Sequence, residues 1–165
     1  MTQGCIASDL VDLCARKGVK VAVAESCTGG GVGAAITSAP GASEVLPGGV
    51  VSYSNGAKEK VLGVRAETLA RFGAVSEECA REMAEGARGL FGADVAVSVT
   101  GVAGPSGGSA EKPVGLVCFG LSTRERVSSE SVRFGGGRDD VRAGAVAHAL
   151  GLLSKAALSV DKEAP

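Results

Sequence analysis

Tryptophan is absent from this 165-residue chain, and the other aromatics amount to one Tyr and four Phe. A core so poor in rings must be filled by Ala, Val and Leu, with backbones packed close enough to leave no voids. Histidine occurs once, at His148. It lies beside an apolar stripe of Val141, Ala145, Ala149, Leu152 and Leu153, where a packed or half-exposed helical residue is a simpler reading than a catalytic base. A Ser-His-Asp triad is not expected, and the GxSxG elbow is missing too. The five cysteines, Cys5, Cys14, Cys27, Cys79 and Cys118, form no CxxC pair. With one His they offer no ordinary zinc site, so neither metal nor cofactor is expected. Such free thiols read as belonging to a reducing cytoplasm.

Neither charge sign dominates. The net charge is -1 with the signs interleaved, unlike the basic footprint of a nucleic-acid binder. No stretch approaches the roughly 20 apolar residues that span a bilayer. The opening MTQGCIASDL carries Asp9 and no cationic segment, so no signal peptide is expected. The partner implied is a small molecule, with no nucleic acid and no membrane.

What the chain does have is glycine, 26 residues of it. Hydrophobic periodicity predicts helices over 5–16, 28–38, 55–63 and 66–72, from Ser76 to Leu90, and from Arg138 to Leu153. Buried strands are predicted over 19–25, 48–54 and 93–100, with a hairpin of 114–122 and 125–134 across Thr123-Arg124. Between them, 101–113 is too long and too Gly-rich for a mere connector. Alternating strands and helices argue for one α/β domain over 1–165, with helices on both faces of a sheet that the hairpin makes mixed.

Three segments put polar groups at strand ends, where an open α/β sheet builds its crevice. They are Glu25-Ser26-Cys27-Thr28-Gly29-Gly30, Tyr53-Ser54-Asn55-Gly56-Ala57-Lys58 and Thr100-Gly101-Val102-Ala103-Gly104-Pro105. The first is a Gly-rich turn feeding a helix, whose outward N–H groups suit a phosphate or an oxyanion; equally, Ser26 or Thr28 serves only as a helix cap. A serine nucleophile without His needs another base. Lysine serves when desolvation leaves it neutral, and Lys58 stands just after a strand with Tyr53 near enough to orient it. The bland alternative is a solvated surface lysine. The third segment is neither GxGxxG nor a P-loop, and reads as an anion-binding nest or a flexible loop.

Together these segments resemble the C-terminal domain family of CinA (competence/damage-inducible protein), the nicotinamide-nucleotide amidases. The residues that carry the likeness are ESCTGG (25–30), PGAS (40–43), GGVVSYSNGAKEKVLGV (48–64), AVS (74–76), VTGVAGPSGG (99–108) and KPVGLV (112–117), with GGGRDDVR (135–142) weaker. The resemblance implies a three-layer α/β/α sandwich with a mixed, mostly parallel five-stranded sheet, in the family's stand-alone form. It implies metal-free hydrolysis of nicotinamide mononucleotide to nicotinate mononucleotide and ammonia. By position, Ser26 matches the nucleophile, Lys58 the base, Tyr53 its neighbour, Thr100 the strand-end threonine and Arg138 an arginine near the site. Thr28, Gly29, Gly30, Asn55, Gly101 and Gly104 complete the implied substrate-binding set. Gly31 departs from the family, which usually has a larger apolar residue there.

Two rival readings remain. A short-chain-dehydrogenase-like reaction needs Tyr and Lys as Y-x-x-x-K, whereas four residues separate Tyr53 from Lys58. A non-catalytic nucleotide-binding module explains the glycines but leaves the Ser26, Tyr53 and Lys58 trio without a purpose. Exposed helices on a Gly/Ala-rich fold favour a homodimer.

Overall fold

The computed structural model describes residues 2–161. Five strands form one sheet in the order β2-β1-β3-β4-β5. They are β1 (Val21–Glu25), β2 (Gly48–Val51), β3 (Val95–Gly101), β4 (Leu116–Ser122) and β5 (Val127–Arg133). β1 runs parallel to β2 and β3, while β3–β4 and β4–β5 are antiparallel. The mixed α/β sheet flanked by helices agrees with the sequence expectation.

Among the described residues six α-helices flank the sheet: α1 (Gln3–Lys17), α2 (Gly31–Thr37), α3 (Asn55–Leu62), α4 (Ala66–Phe72), α5 (Glu77–Phe91) and α6 (Arg138–Ser159). The period-2 alternation of β1 and β3 sorts their side chains between two layers. Val21, Val23, Val95, Val97 and Val99 join the core under α1, α2 and α6. Ala22, Ala24 and Ala96 join Leu62, Leu69, Met83 and Ala87 under α3, α4 and α5. A Cβ at Gly120 of β4 would stand 2.0 Å from the Ala80 carbonyl oxygen of α5. Ser98 Oγ closes that contact, donating to Ala80 O at 2.5 Å and accepting from Gly120 N at 3.1 Å.

Three predicted boundaries move for physical reasons. The strand expected over 48–54 ends at Val51, because Ser54 turns to cap α3 by accepting from Ala57 N at 3.1 Å. It is also not the buried strand expected, but an edge strand, half-exposed along its length. The helix expected from residue 28 starts at Gly31, since Gly29 and Gly30 adopt positive φ. The last helix runs on to Ser159, its buried stripe continuing through Ala156 and Ala157. Gly31 faces α6, where an added Cβ would meet Val146 at 2.9 Å. Among the described residues no helix is long and apolar enough to cross a membrane.

Candidate active site

The C-terminal ends of β1 and β3 open into a cleft of about 310 Å³, lined among others by Ser26, Cys27, Tyr53, Lys58, Thr100 and Arg138. A larger concavity of about 630 Å³ lies at the other end of the sheet, around Asp94, Arg124 and Lys155. Among the described residues no hydroxyl or thiol of its lining is hydrogen-bonded to a basic side chain there, so chemistry rather than size assigns the site.

Lys58 is the unusual group. It sits on α3, points into the core, and is 1% exposed. Its Nζ donates to Ser52 O at 2.7 Å and to Ser26 Oγ at 3.0 Å. Both partners are neutral oxygens, and among the described residues no carboxylate is hydrogen-bonded to it. Burial pushes its pKa below the ordinary lysine value, because a charged amine is poorly solvated there. The nearby Cys79 and Cys27 thiols act weakly in the opposite direction.

Ser26 follows β1 directly. Its N–H donates to Val99 O at 2.9 Å, which extends the β1–β3 pairing by one residue and fixes the side chain at the cleft. The preceding residue, Glu25, is 1% exposed and folds under the turn. Its Oε2 accepts from Gly30 N at 3.1 Å and Val32 N at 3.0 Å, and its Oε1 from Gly33 N at 2.8 Å. The start of α2 is thus capped by an internal carboxylate, a strong arrangement because the acceptor is charged and the helix end carries partial positive charge. Gly29 N is taken by Ser26 O at 3.0 Å. The N–H groups of Cys27 and Thr28 find no backbone acceptor among the described residues. Burial raises the Cys27 thiol to about 11, so at neutral pH it is not a thiolate.

The model of the CinA C-terminal domain matches residues 4–157. The chain belongs to the CinA C-terminal domain family. A CinA-like protein of Thermotoga maritima is 50% identical over 135 residues, 82% of this chain and 33% of that protein. The chain spans between 33% and 38% of the length of such curated relatives. A competence/damage inducible protein from Agrobacterium tumefaciens superposes with a TM-score of 0.92 at 43% identity, covering 95% of this chain and 96% of that one. The competence damage-inducible protein A from Klebsiella pneumoniae gives 0.93 at 37% identity, covering 98% and 100%.

On this CinA C-terminal domain the predicted site residues divide into two groups. Ser26, Lys58, Tyr53, Thr100, Gly101, Gly104 and Arg138 all line the cleft. Among the described residues no hydrogen bond joins Tyr53 to Lys58; the tyrosine hydroxyl accepts from Arg138 Nη2 at 3.3 Å, and its side chain is largely exposed. Arg138 Nη1 also donates to Gly104 O at 2.8 Å, so the arginine ties the 102–113 loop to the tyrosine. Thr100 Oγ1 donates to Ala74 O at 2.8 Å, holding the segment before α5 against the sheet. Thr28, Gly29, Gly30 and Asn55 lie outside the cleft lining. Thr28 is buried, Gly29 and Gly30 shape the turn, and Asn55 is an exposed residue at the start of α3.

Three contributors escaped the sequence reading. Ser52 supplies the carbonyl that holds the amine. Glu25 closes the turn that carries Ser26. Arg142 donates to Thr28 O at 3.1 Å, one helical turn after Arg138 on α6. The i, i+4 spacing of the two arginines was the one available signal.

Proposed function

We propose that this chain is a nicotinamide-nucleotide amidase, hydrolysing nicotinamide mononucleotide to nicotinate mononucleotide and ammonia through a Ser26–Lys58 acyl-enzyme. The observation that carries this reading is the buried Lys58 amine 3.0 Å from Ser26 Oγ. A desolvated lysine beside a serine is what amide acyl transfer requires when no histidine is at hand. The substrate comes from the family resemblance, and the cleft's residues are consistent with it.

Neutral Lys58 accepts the Ser26 proton as Oγ attacks the carboxamide carbon, giving a tetrahedral oxyanion. The Cys27 N–H, at the cleft lining, serves as its donor. Lys58 then passes the proton to the departing nitrogen, the C–N bond breaks, and ammonia leaves an ester on Ser26. Water adds to that ester with Lys58 again as base, releasing the carboxylate and restoring the hydroxyl. The Ser52 carbonyl keeps one N–H of the amine engaged, which aims the lone pair at Ser26. With the start of α2 already occupied by Glu25, the substrate phosphate falls to Arg138 and the loop around Gly104.

The test is ammonia release from nicotinamide mononucleotide by the wild-type chain and by Ser26→Ala. Turnover lost in the variant supports the reading. A wild-type chain that binds the nucleotide without releasing ammonia sinks it, in favour of a binding module.

A further inference from the structure

Two buried side-chain oxygens lack a hydrogen-bond partner among the described residues, Thr28 Oγ1 and Ser52 Oγ. Both residues are 0% exposed and neither lines the cleft. A buried hydroxyl left unpaired is unfavourable and calls for an explanation. Both flank the Ser26–Lys58 pair, but only Ser52 is already attached to the amine, through its carbonyl at 2.7 Å.

A neutral lysine amine has two N–H bonds and a lone pair, and an ammonium has three N–H bonds. For Lys58 to act as base, the lone pair faces Ser26 and one N–H goes to Ser52 O. One N–H remains. While the amine is neutral that donor is weak; once the proton arrives it becomes charge-assisted and about twice as strong. We propose that Ser52 is a positioning residue of the dyad, its hydroxyl turning to accept this remaining N–H when Lys58 takes the Ser26 proton. The inference rests on the Ser–Lys reading given above. The hydroxyl is then unsatisfied in the resting protein and satisfied as charge forms, a contact stronger in the transition state than before it. The other titratable groups facing the amine are Cys27, from the turn after β1, and Cys79, from α5. Burial holds both thiols near 11, so neither is charged at neutral pH.

Three variants test this: Ser52→Ala, Ser52→Thr and, as a control, Thr28→Val. The Lys58 amine is titrated directly through its ¹³Cε resonance, alongside kcat against pH and the melting temperature. In Ser52→Ala the Lys58 midpoint should fall by about one unit or more, and kcat by roughly 10- to 100-fold, the worth of a hydrogen bond to a charged group. The melting temperature should not drop, because an unpaired hydroxyl has been removed. Ser52→Thr should restore the wild-type titration, and Thr28→Val should leave it in place. A Ser52→Ala protein with the wild-type Lys58 midpoint overturns the proposal, whatever its activity or stability. If the wild type releases no ammonia yet Ser52→Ala still lowers the midpoint, the substrate reading fails and the role of Ser52 stands.

Discussion

Arg138 donates to Tyr53 Oη at 3.3 Å across 85 positions of sequence, so the tyrosine belongs to the mouth of the cleft rather than to the lysine. That placement separates binding from chemistry. Tyr53→Phe is expected to raise KM for the mononucleotide several-fold while leaving kcat within about threefold, since one neutral hydrogen bond is worth about 1 kcal/mol. Steady-state kinetics decide it. A hundredfold loss of kcat at unchanged KM would put the tyrosine back in proton transfer.

Lys58→Arg is expected to lose activity by at least about 10³-fold while still binding nucleotide. Arginine keeps the charge but remains protonated throughout the accessible range, so it has no lone pair to offer Ser26. In the wild type, kcat should rise with pH through the lowered Lys58 pKa. That limb should be unchanged in His148→Ala, because His148 pairs with Glu130 and packs at a tilt on Phe119, none of the three lining the cleft. Substantial turnover by Lys58→Arg removes the lysine from the role of base.

The same lowered pKa makes stability depend on pH. Between the folded and unfolded pKa values of Lys58 the unfolded chain binds the extra proton, so wild-type stability rises with pH across that window. Below the folded value both states are charged and the burial penalty is fully present. Lys58→Met removes the titrating group. Its melting temperature relative to wild type should therefore be most favourable at low pH and decline as pH rises toward the ordinary lysine value. Melts at two pH values check this, and a constant difference contradicts it.

Glu25→Ala is expected to destabilise the fold by about 3 kcal/mol or more, since three backbone donors at the start of α2 lose a buried acceptor. Glu44→Ala, at an exposed position, should stay within about 0.5 kcal/mol of wild type. Denaturant midpoints compare the two. A Glu25→Ala midpoint equal to that of Glu44→Ala shows that water replaces the carboxylate.

Cys27→Ala should keep most activity. The thiol is next to Ser26 but is held near 11 by burial, which leaves almost no thiolate at neutral pH. A Cys27→Ala rate as low as that of Ser26→Ala moves the nucleophile to the cysteine.

Local pattern put Ser26 at a strand end and Lys58 in the first turn after one, with a helix cap and a surface lysine as the alternatives, while Arg138 entered only through the family resemblance. The cap on α2 was not legible. Glu25 reads in sequence as the last polar residue of a strand, and nothing local says its carboxylate turns under residues five to eight positions ahead. The Ser52 carbonyl was equally hidden, since every residue has one and only the fold decides which meets the amine. The exposed character of β2 depends on strand order, which the Val-rich run of that strand does not encode.

The seating of α5 on β4 at Gly120 bears on how this family's sequences drift. With the Ala80 carbonyl 2.0 Å from where a first side-chain atom would stand, the position accepts glycine and nothing larger without moving the helix. It lies outside the cleft lining, yet a survey scored by turnover would count it among the positions of the reaction. A survey scored by the amount of folded protein would assign it to the scaffold, and the two surveys together separate residues kept for chemistry from those kept for space.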